Sequence, residues 1–400
     1  MSKDCCGPAR TTADCCDAGT PAAGTCCGPA AAEPGTAGGG TCCSAPSPAP
    51  ADHLYPVLAC VTGTVETPAG PVPQVSRDLG RSDRLGAARV RMGFGRDDYR
   101  VRPGLYALGT PGEDSPVLVT ANYKLTFDHL RSSVGALEAW LVVADTRGVN
   151  VWCAAGEGTF CAEEIARVVT ESRLAEIVAH RVLVLPQLGG PGVAAHRLKG
   201  SCGFRAVFGP VRAADIPAFL AAGMRADAAM REVTFTLRER AVLVPEQLSL
   251  LRDRRVLLAA AGILAASGMG RGGFSPRRAA RGGGPVLGAA LLALLAGGVA
   301  TPLALPRLPG RAFSAKGAVA GGVAAAGAAL LLRRRLSPAE RLALLAAVPS
   351  AASYVAMNFT GSSAITSPSG VEHETRRALP LQAVALVLGA AAWVASRMGA

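Results

Sequence analysis

From Arg255 onward the chain is organised by five apolar runs, Val256–Gly268, Val286–Leu305, Gly317–Leu332, Leu342–Phe359 and Ala378–Val394. A helical bilayer crossing takes about 20 apolar residues. The second, fourth and fifth runs are adequate, the third is marginal and the first short, so residues 251–400 are expected to form a transmembrane helical domain of four or five spans. Charge divides at the same place. Residues 1–250 carry 24 Lys/Arg against 25 Asp/Glu and residues 251–400 carry 17 against 4, which together give the net +12. An arginine excess between apolar runs suits membrane flanks and anionic headgroups, so nucleic acid is not an expected partner. Five spans would put the arginines around Arg277–Arg278 and Arg333–Arg335 outside. Four spans bring both loops inside, as the positive-inside tendency prefers, with the first run interfacial or buried.

The N-terminus, MSKDCCGPAR, lacks the basic start and apolar core of an export signal. The expected location is therefore a multi-pass inner-membrane protein whose soluble half stays in the cytoplasm with reduced thiols. Residues 1–52 are Ala, Gly, Pro, Thr and Cys with few large apolar side chains, a composition expected to stay disordered. Within them Cys5-Cys6, Cys15-Cys16, Cys26-Cys27 and Cys42-Cys43 recur as adjacent pairs, and CCGPA occurs twice. Adjacent thiols suit soft ions such as Hg(II), As(III) or Cu(I), whereas zinc usually takes spaced CxxC loops and iron–sulfur clusters a spaced four-Cys pattern. Either the pairs capture a thiophilic substrate or they belong to a low-complexity tail with no essential role.

Residues 53–250 read as an α/β domain. An irregular lead-in over 53–115 gives way to apolar strands at Val117–Thr120, Ala139–Ala144, Val182–Leu185 and Phe204–Phe208. Helical spacing lies between and after them, over Lys124–Leu137, Ala162–His180, Val193–Leu198 and Asp215–Ala222. That alternation predicts a parallel sheet covered on both faces, with ligands beyond the carboxyl ends of its strands. The turns at Ala121-Asn122, Thr146–Cys153, Pro186–Gly192 and Gly209-Pro210 share that edge.

Asn150–Gly156 (NVWCAAG) follows one of these strands, and its small residues Ala154, Ala155 and Gly156 would let backbone approach a ligand closely. Cys153 would sit near the start of the next helix, where amide dipoles favour the metal-binding thiolate. The plainer reading is a buried small hydrophobe beside Trp152. Cys60, Cys161 and Cys202 read as structural, and His129 and His196 as solvent-facing.

The stretches RDLGRSDRLGAARVRMGFGRDDYRVRPGLYALG, SPVLVTANYKLTFDHLR, GVNVWCAAGEGTF and LPQLGGPGVAAH decide between these readings. Over about Arg77–Val211 the chain resembles the HgcA family, the corrinoid proteins of microbial mercury methylation, related to the large subunit of the corrinoid iron-sulfur protein of acetyl-CoA synthesis. The resemblance implies a Rossmann-like domain binding a cobalamin-type corrinoid, with Cys153 as lower axial cobalt ligand. It implies that Thr120, Asn122, Asn150, Val151, Trp152, Cys153, Ala154, Ala155, Gly156, Gln187, Leu188, Gly189 and Gly192 hold the cofactor. The implied activity is a corrinoid-dependent methyltransferase that methylates Hg(II), carried by a methyl group on Cys-ligated cobalt. Its implied partners are a ferredoxin-like protein with two 4Fe–4S clusters, a folate-linked methyl donor or methyltransferase, and a Hg(II) thiolate. In the family the string continues with Lys, where this chain has Glu157. Two further functions stay open: a corrinoid methyl carrier with another acceptor, acetyl-CoA pathway-like or a metalloid, and a membrane-bound thiophilic-metal-binding protein.

Overall fold

The computed structural model describes residues 58–270, 273–359 and 368–398. The eight paired cysteines, Cys5 to Cys43, lie outside the described residues. Seven strands form one sheet in the order β1-β2-β3-β5-β4-β6-β7: β1 Val61–Thr67, β2 Gly70–Val75, β3 Gly104–Leu108, β4 Val117–Ala121, β5 Ala139–Ala144, β6 Val182–Leu185 and β7 Arg205–Phe208. The helices of this domain are α1 Arg81–Arg91, α2 Lys124–Ser133, α3 Val151–Glu157, α4 Ala162–Glu171, α5 Ala195–Cys202 and α6 Ile216–Ala221.

Alternation along the strands explains the layering. In β5, Trp140, Val142 and Ala144 share one core with α3, α4 and α5, whereas Leu141 and Val143 share the other with Phe127 and Leu130 of α2 and Ile216 and Phe219 of α6. Strands buried on both faces read as continuous apolar runs, which is why VLVT, AWLVVA and VLVL stood out in the sequence.

Two expectations need correction. The sheet is mixed: β5, β4, β6 and β7 run parallel, but β3 lies antiparallel to β5, and β1 antiparallel to β2. The stretch taken as an irregular lead-in holds β1, β2, α1 and β3. Pro71 and Pro73 disguised β2. They are tolerated because β2 meets β3 only at Gln74 and Val75, so neither proline owes a hydrogen bond on that side.

Strong charge ties α1 to α2. Lys124 Nζ lies 2.6 Å from Asp83 Oδ1 and 2.7 Å from Asp128 Oδ2, while Arg131 Nη2 lies 2.8 Å from each of Asp83 Oδ2 and Asp128 Oδ1. Arg131 is fully buried, and its Nη1 donates to the carbonyls of Ser76 (2.6 Å) and Asp78 (2.9 Å). Every charge in this cluster faces an opposite one, the condition under which burying ions is tolerable.

Beyond the domain, α7 Leu237–Gln247 leads to α8 Arg254–Gly268, α9 Pro276–Leu295, a π-helical turn at Ala296–Ala300, α10 Thr301–Ala304, α11 Phe313–Leu331, α12 Pro338–Asn358 and α13 Pro368–Met398. Three stretches are long and apolar enough to cross a membrane: Pro276–Ala304, Phe313–Leu331 and Gly370–Ser396. The fourth apolar run, expected to be adequate, forms α12, which is not among them. Helix α12 packs closely with its neighbours. A β-carbon at Gly317 would lie 2.7 Å from the Ala352 carbonyl and one at Gly321 2.6 Å from Ala352 Cβ, so α11 and α12 touch backbone to backbone as small-xxx-small pairs do. Ser350, Ser353 and Gln382 are buried together, with Gln382 Nε2 donating to Ser353 Oγ at 2.8 Å. Arg240, also buried, donates from Nη1 to the carbonyls of Pro302 (3.1 Å) and Leu303 (3.3 Å), satisfying acceptors at the C-terminal end of α10.

Candidate functional site

The loop leaving β5 presents the NVWCAAG string. Its conformation is dictated by Asn122, the residue after β4, whose side chain is fully buried. Asn122 Oδ1 accepts from the amides of Thr146 (3.1 Å) and Gly148 (2.9 Å) and lies 2.9 Å from Thr146 Oγ1; its Nδ2 donates to Asp145 Oδ1 at 2.8 Å. The Thr146 hydroxyl also lies 2.6 Å from the Val149 carbonyl, and Asp145 Oδ1 accepts from the Arg147 amide at 2.9 Å. Arg147 occupies the left-handed region at φ 57, a conformation that this web of bonds holds.

Asn150 then caps α3. Its Oδ1 accepts from the Cys153 amide at 3.0 Å, the usual N-cap bond, and its Nδ2 donates to Cys153 Sγ at 3.4 Å. Cys153 carries a reduced, half-buried thiol at the edge where β4, β5 and β6 end. On the inner side, Val151, Ala154 and Ala155 are buried in the core. On the outer side, Gly156 and Glu157 are exposed, and a β-carbon at Gly156 would meet nothing within 4 Å. Partial burial pushes the Glu157 carboxyl up, and Arg147 draws it back.

The residues expected to hold a cofactor divide into two groups. Cys153, Trp152 and Gln187–Leu188 are half-buried at the strand-end edge. Thr120, Asn122 and Gly189 are buried, and the side chain of Asn122 is spent on the loop. A β-carbon at Gly189 would lie 2.6 Å from Phe160 Cε1, and one at Gly192 would lie 2.5 Å from the Phe160 carbonyl and 2.7 Å from Ala155 Cα. Both glycines therefore hold the back of α3. Cys60 and Cys161 are buried, and Cys202 donates to the Leu198 carbonyl at 3.2 Å. His129 and His196 are exposed, as expected. Among the described residues no three His, Cys, Asp or Glu side chains converge as a metal site, so the thiol stands as a single soft donor. A cleft of about 410 Å³ between β2, β3 and α4, lined in part by Arg102, Tyr106 and Arg167, includes none of the candidate residues.

A soft, half-exposed sulfur above the carboxyl ends of parallel strands, with a fixed orientation and a clear outer side, marks the region for comparison with known proteins. Residues 95–220 match the model of the CdhD family. That family is described as the CO dehydrogenase/acetyl-CoA synthase delta subunit. The matched stretch holds β3 to β7, the Asn122 web and the whole of α3, whereas β1, β2 and α1 precede it. The chain is 34% identical over 127 residues to the acetyl-CoA decarbonylase/synthase complex subunit gamma of Methanopyrus kandleri, covering 31% of this chain and 27% of that protein. It is 34% identical over 131 residues to the same subunit of Archaeoglobus fulgidus, with the same coverage. Against the corrinoid/iron-sulfur protein large subunit of Moorella thermoacetica it is 32% identical over 127 residues, 31% of this chain and 28% of that one. The chain thus spans little more than a quarter of the length of these relatives.

The sequence showed Asn122 only as one residue of a turn. Its role as organiser of the loop after β5 required the structure. Asn122→Leu, close in volume, would strand the buried amides of Thr146 and Gly148 and is expected to cost about 1–3 kcal/mol per lost partner. Hydrogen exchange read by mass spectrometry should show the loss as faster exchange over 145–153, while exchange in β6 and β7 stays near wild type.

Proposed function

We propose that the chain is a membrane-anchored, corrinoid-dependent methyltransferase that methylates Hg(II), with the Cys153 thiolate as lower axial ligand to cobalt. The observation that carries the reading is the half-exposed Cys153 sulfur, held by Asn150 at the strand-end edge of a domain whose relatives include a protein named corrinoid/iron-sulfur protein large subunit. The residues present fit such a group: one soft sulfur donor, no competing ligand cluster among the described residues, and open space over Gly156.

A corrinoid bound there supplies a cobalt centre that can accept a methyl group and release it with its electron pair. The residues of the chain supply the setting. Asn150 fixes the direction of the sulfur, and the Cys153 thiolate would be the soft, electron-rich donor that holds the cobalt. Gly156 keeps bulk away from the outer side of the helix, while Ala154 and Ala155 seat its inner side closely in the core. Trp152, Gln187 and Leu188 are the half-buried candidates for contact with the rest of the ring. Electrons would come from a ferredoxin-like protein with two 4Fe–4S clusters, and methyl groups from a folate-linked donor or methyltransferase. The three apolar stretches would anchor the protein in the inner membrane with the α/β domain in the cytoplasm.

One observation favours a second acceptor. Glu157 places an exposed anion one turn from Cys153, where a cation stands in the family resembled, and such an anion changes which metal complex can approach. A different thiophilic ion, such as As(III), is then the alternative substrate. The test is to purify the full chain with corrinoid, record its absorption spectrum, and offer Hg(II) and As(III) together with a methyl donor. Methylmercury as the main product supports the reading. A methylated arsenical moves the assignment to the second acceptor, and a protein that takes up no corrinoid overturns both.

The paired cysteines enter as a capture device. Deleting residues 2–50 is expected to lower the methylation rate at limiting Hg(II) and leave it unchanged at saturating Hg(II). Equal rates at limiting Hg(II) would leave the tail without that role.

A further inference from the structure

Helix α1 contributes little to the candidate site, yet its surface is unusual. Its inward side holds Asp83 and Val90, both buried. The opposite side carries Leu85, 70% exposed, then Ala88 and Met92, at the spacing of one helical stripe, with Phe94 exposed just beyond. Exposed arginines flank this stripe: Arg84 and Arg91 on one side, Arg89 on the other, Arg81 at its start. No acid lies on this outer face, because Asp83 is turned inward to Lys124 and Arg131. The exposed Asp97 and Asp98 lie past Phe94, with Arg100 paired to Asp98.

The far end of the stripe is fastened to the segment that leads into the apolar helices. Arg252 stacks on the Phe94 ring at 3.6 Å and donates to the Met92 carbonyl, and Arg96 pairs with Glu246 of α7. Two residues after Arg252, α8 begins with Arg254 and Arg255 and turns apolar at Val256. A basic collar followed by an apolar helix is where a chain meets the headgroups. An apolar stripe with an arginine rim, held at that collar, has the chemistry of an interfacial helix.

We propose that the outer face of α1, with Phe94, rests on the anionic lipid surface, so that the α/β domain has a second membrane contact besides the C-terminal apolar helices. Leu85, Met92 and Phe94 enter the acyl boundary and Arg81, Arg84, Arg89 and Arg91 meet phosphate groups. The buried charge cluster keeps the helix from rotating, so the contact sets how the domain and its Cys153 edge are tilted over the bilayer.

This proposal rests on the membrane reading above. Its test uses the full chain in nanodiscs of phosphatidylcholine alone, or with about 30% phosphatidylglycerol, and reads arginine modification by a dicarbonyl reagent. Labelling of Arg84 and Arg89 is expected to be about fivefold slower in the anionic discs, with Arg205 unchanged as internal control. Leu85→Glu, at a position too exposed to disturb folding, is expected to restore the faster rate. Equal labelling in both discs, or protection that survives Leu85→Glu, overturns the proposal. Protection that appears only when a soluble protein is added also overturns it and assigns the face to that protein. A chain that fails to co-elute with either disc overturns the membrane reading along with it.

Discussion

Cys153→Ala is expected to leave a folded protein with almost no methyl transfer. The substitution removes one half-buried sulfur and the hydrogen bond that Asn150 Nδ2 donates to it, while the N-cap bond from the residue 153 amide stays, and alanine is a better helix former than cysteine, so α3 should persist. Function should respond very differently. Losing an outer partner of a metal ligand commonly costs about 10–100-fold in affinity or activity, and losing the ligand itself should exceed that range. The cobalt absorption spectrum should shift as the axial sulfur is lost. Two controls make the result specific. Cys161→Ala should change neither spectrum nor rate, because that residue is buried at the start of α4. Asn150→Ala should retain the ligand but loosen its direction, giving a smaller loss and a smaller spectral shift. Full activity and an unaltered spectrum in Cys153→Ala would refute the axial role.

The second large effect is on stability. Asp83→Ala should cost about 3–5 kcal/mol, the range found when one member of a buried ion cluster is removed and its partners are left uncompensated. Arg131, with no exposed surface, would keep only Asp128 as a counter-charge. The loss should appear as a lower denaturant midpoint for protection of β4 and β5 amides in hydrogen exchange. The cluster also sets a pH window. Burial alone would raise the Asp83 pKa, but hydrogen bonds from Lys124 and Arg131 hold it below its ordinary 3.8. Its stabilisation is therefore complete above that value and is lost as pH falls through the depressed one. Burial alone would lower the Lys124 pKa, but Asp128 and Asp83 hold it above its ordinary 10.5. That contribution is complete below 10.5 and is lost as pH rises through the elevated value. In Asp83→Ala the acid edge of the window should flatten. An acid limb as steep as in wild type would assign it to other groups.

How much of this was visible in the chain itself depends on how local the cause was. Strands β4, β5 and β6 were legible because both faces are buried and the apolar run is continuous. A helix start near Cys153 was legible from the small residues after a strand, but the cap at Asn150 and the helix over Val151–Glu157, the stretch read as a turn, were not. Strands β1 and β2 were missed because the tolerance of Pro71 and Pro73 depends on which neighbours β2 lacks. The antiparallel place of β3 was missed because strand order is a long-range property. Asn122 was seen as part of a strand-end turn, but its bonds reach residues 23 to 26 positions away, which no spacing rule reveals. Asp83 and Arg131, 48 positions apart, look like ordinary surface charges until the fold brings them together.

The two glycines behind α3 bear on how finely sulfur height can be set. Where a helix rests on side chains, each χ angle adds slack, and small changes in packing move the helix by fractions of an ångström. At Gly192 no rotamer absorbs error, because main chain sits against the main chain of Phe160 and Ala155 with no room for one more carbon, and at Gly189 only the Phe160 ring and a Val151 methyl intervene. The reach of Cys153 above the sheet is thus fixed to backbone tolerance. Presence of the thiol and its position are then separately adjustable, the first by the residue at 153 and the second by what stands at 189 and 192.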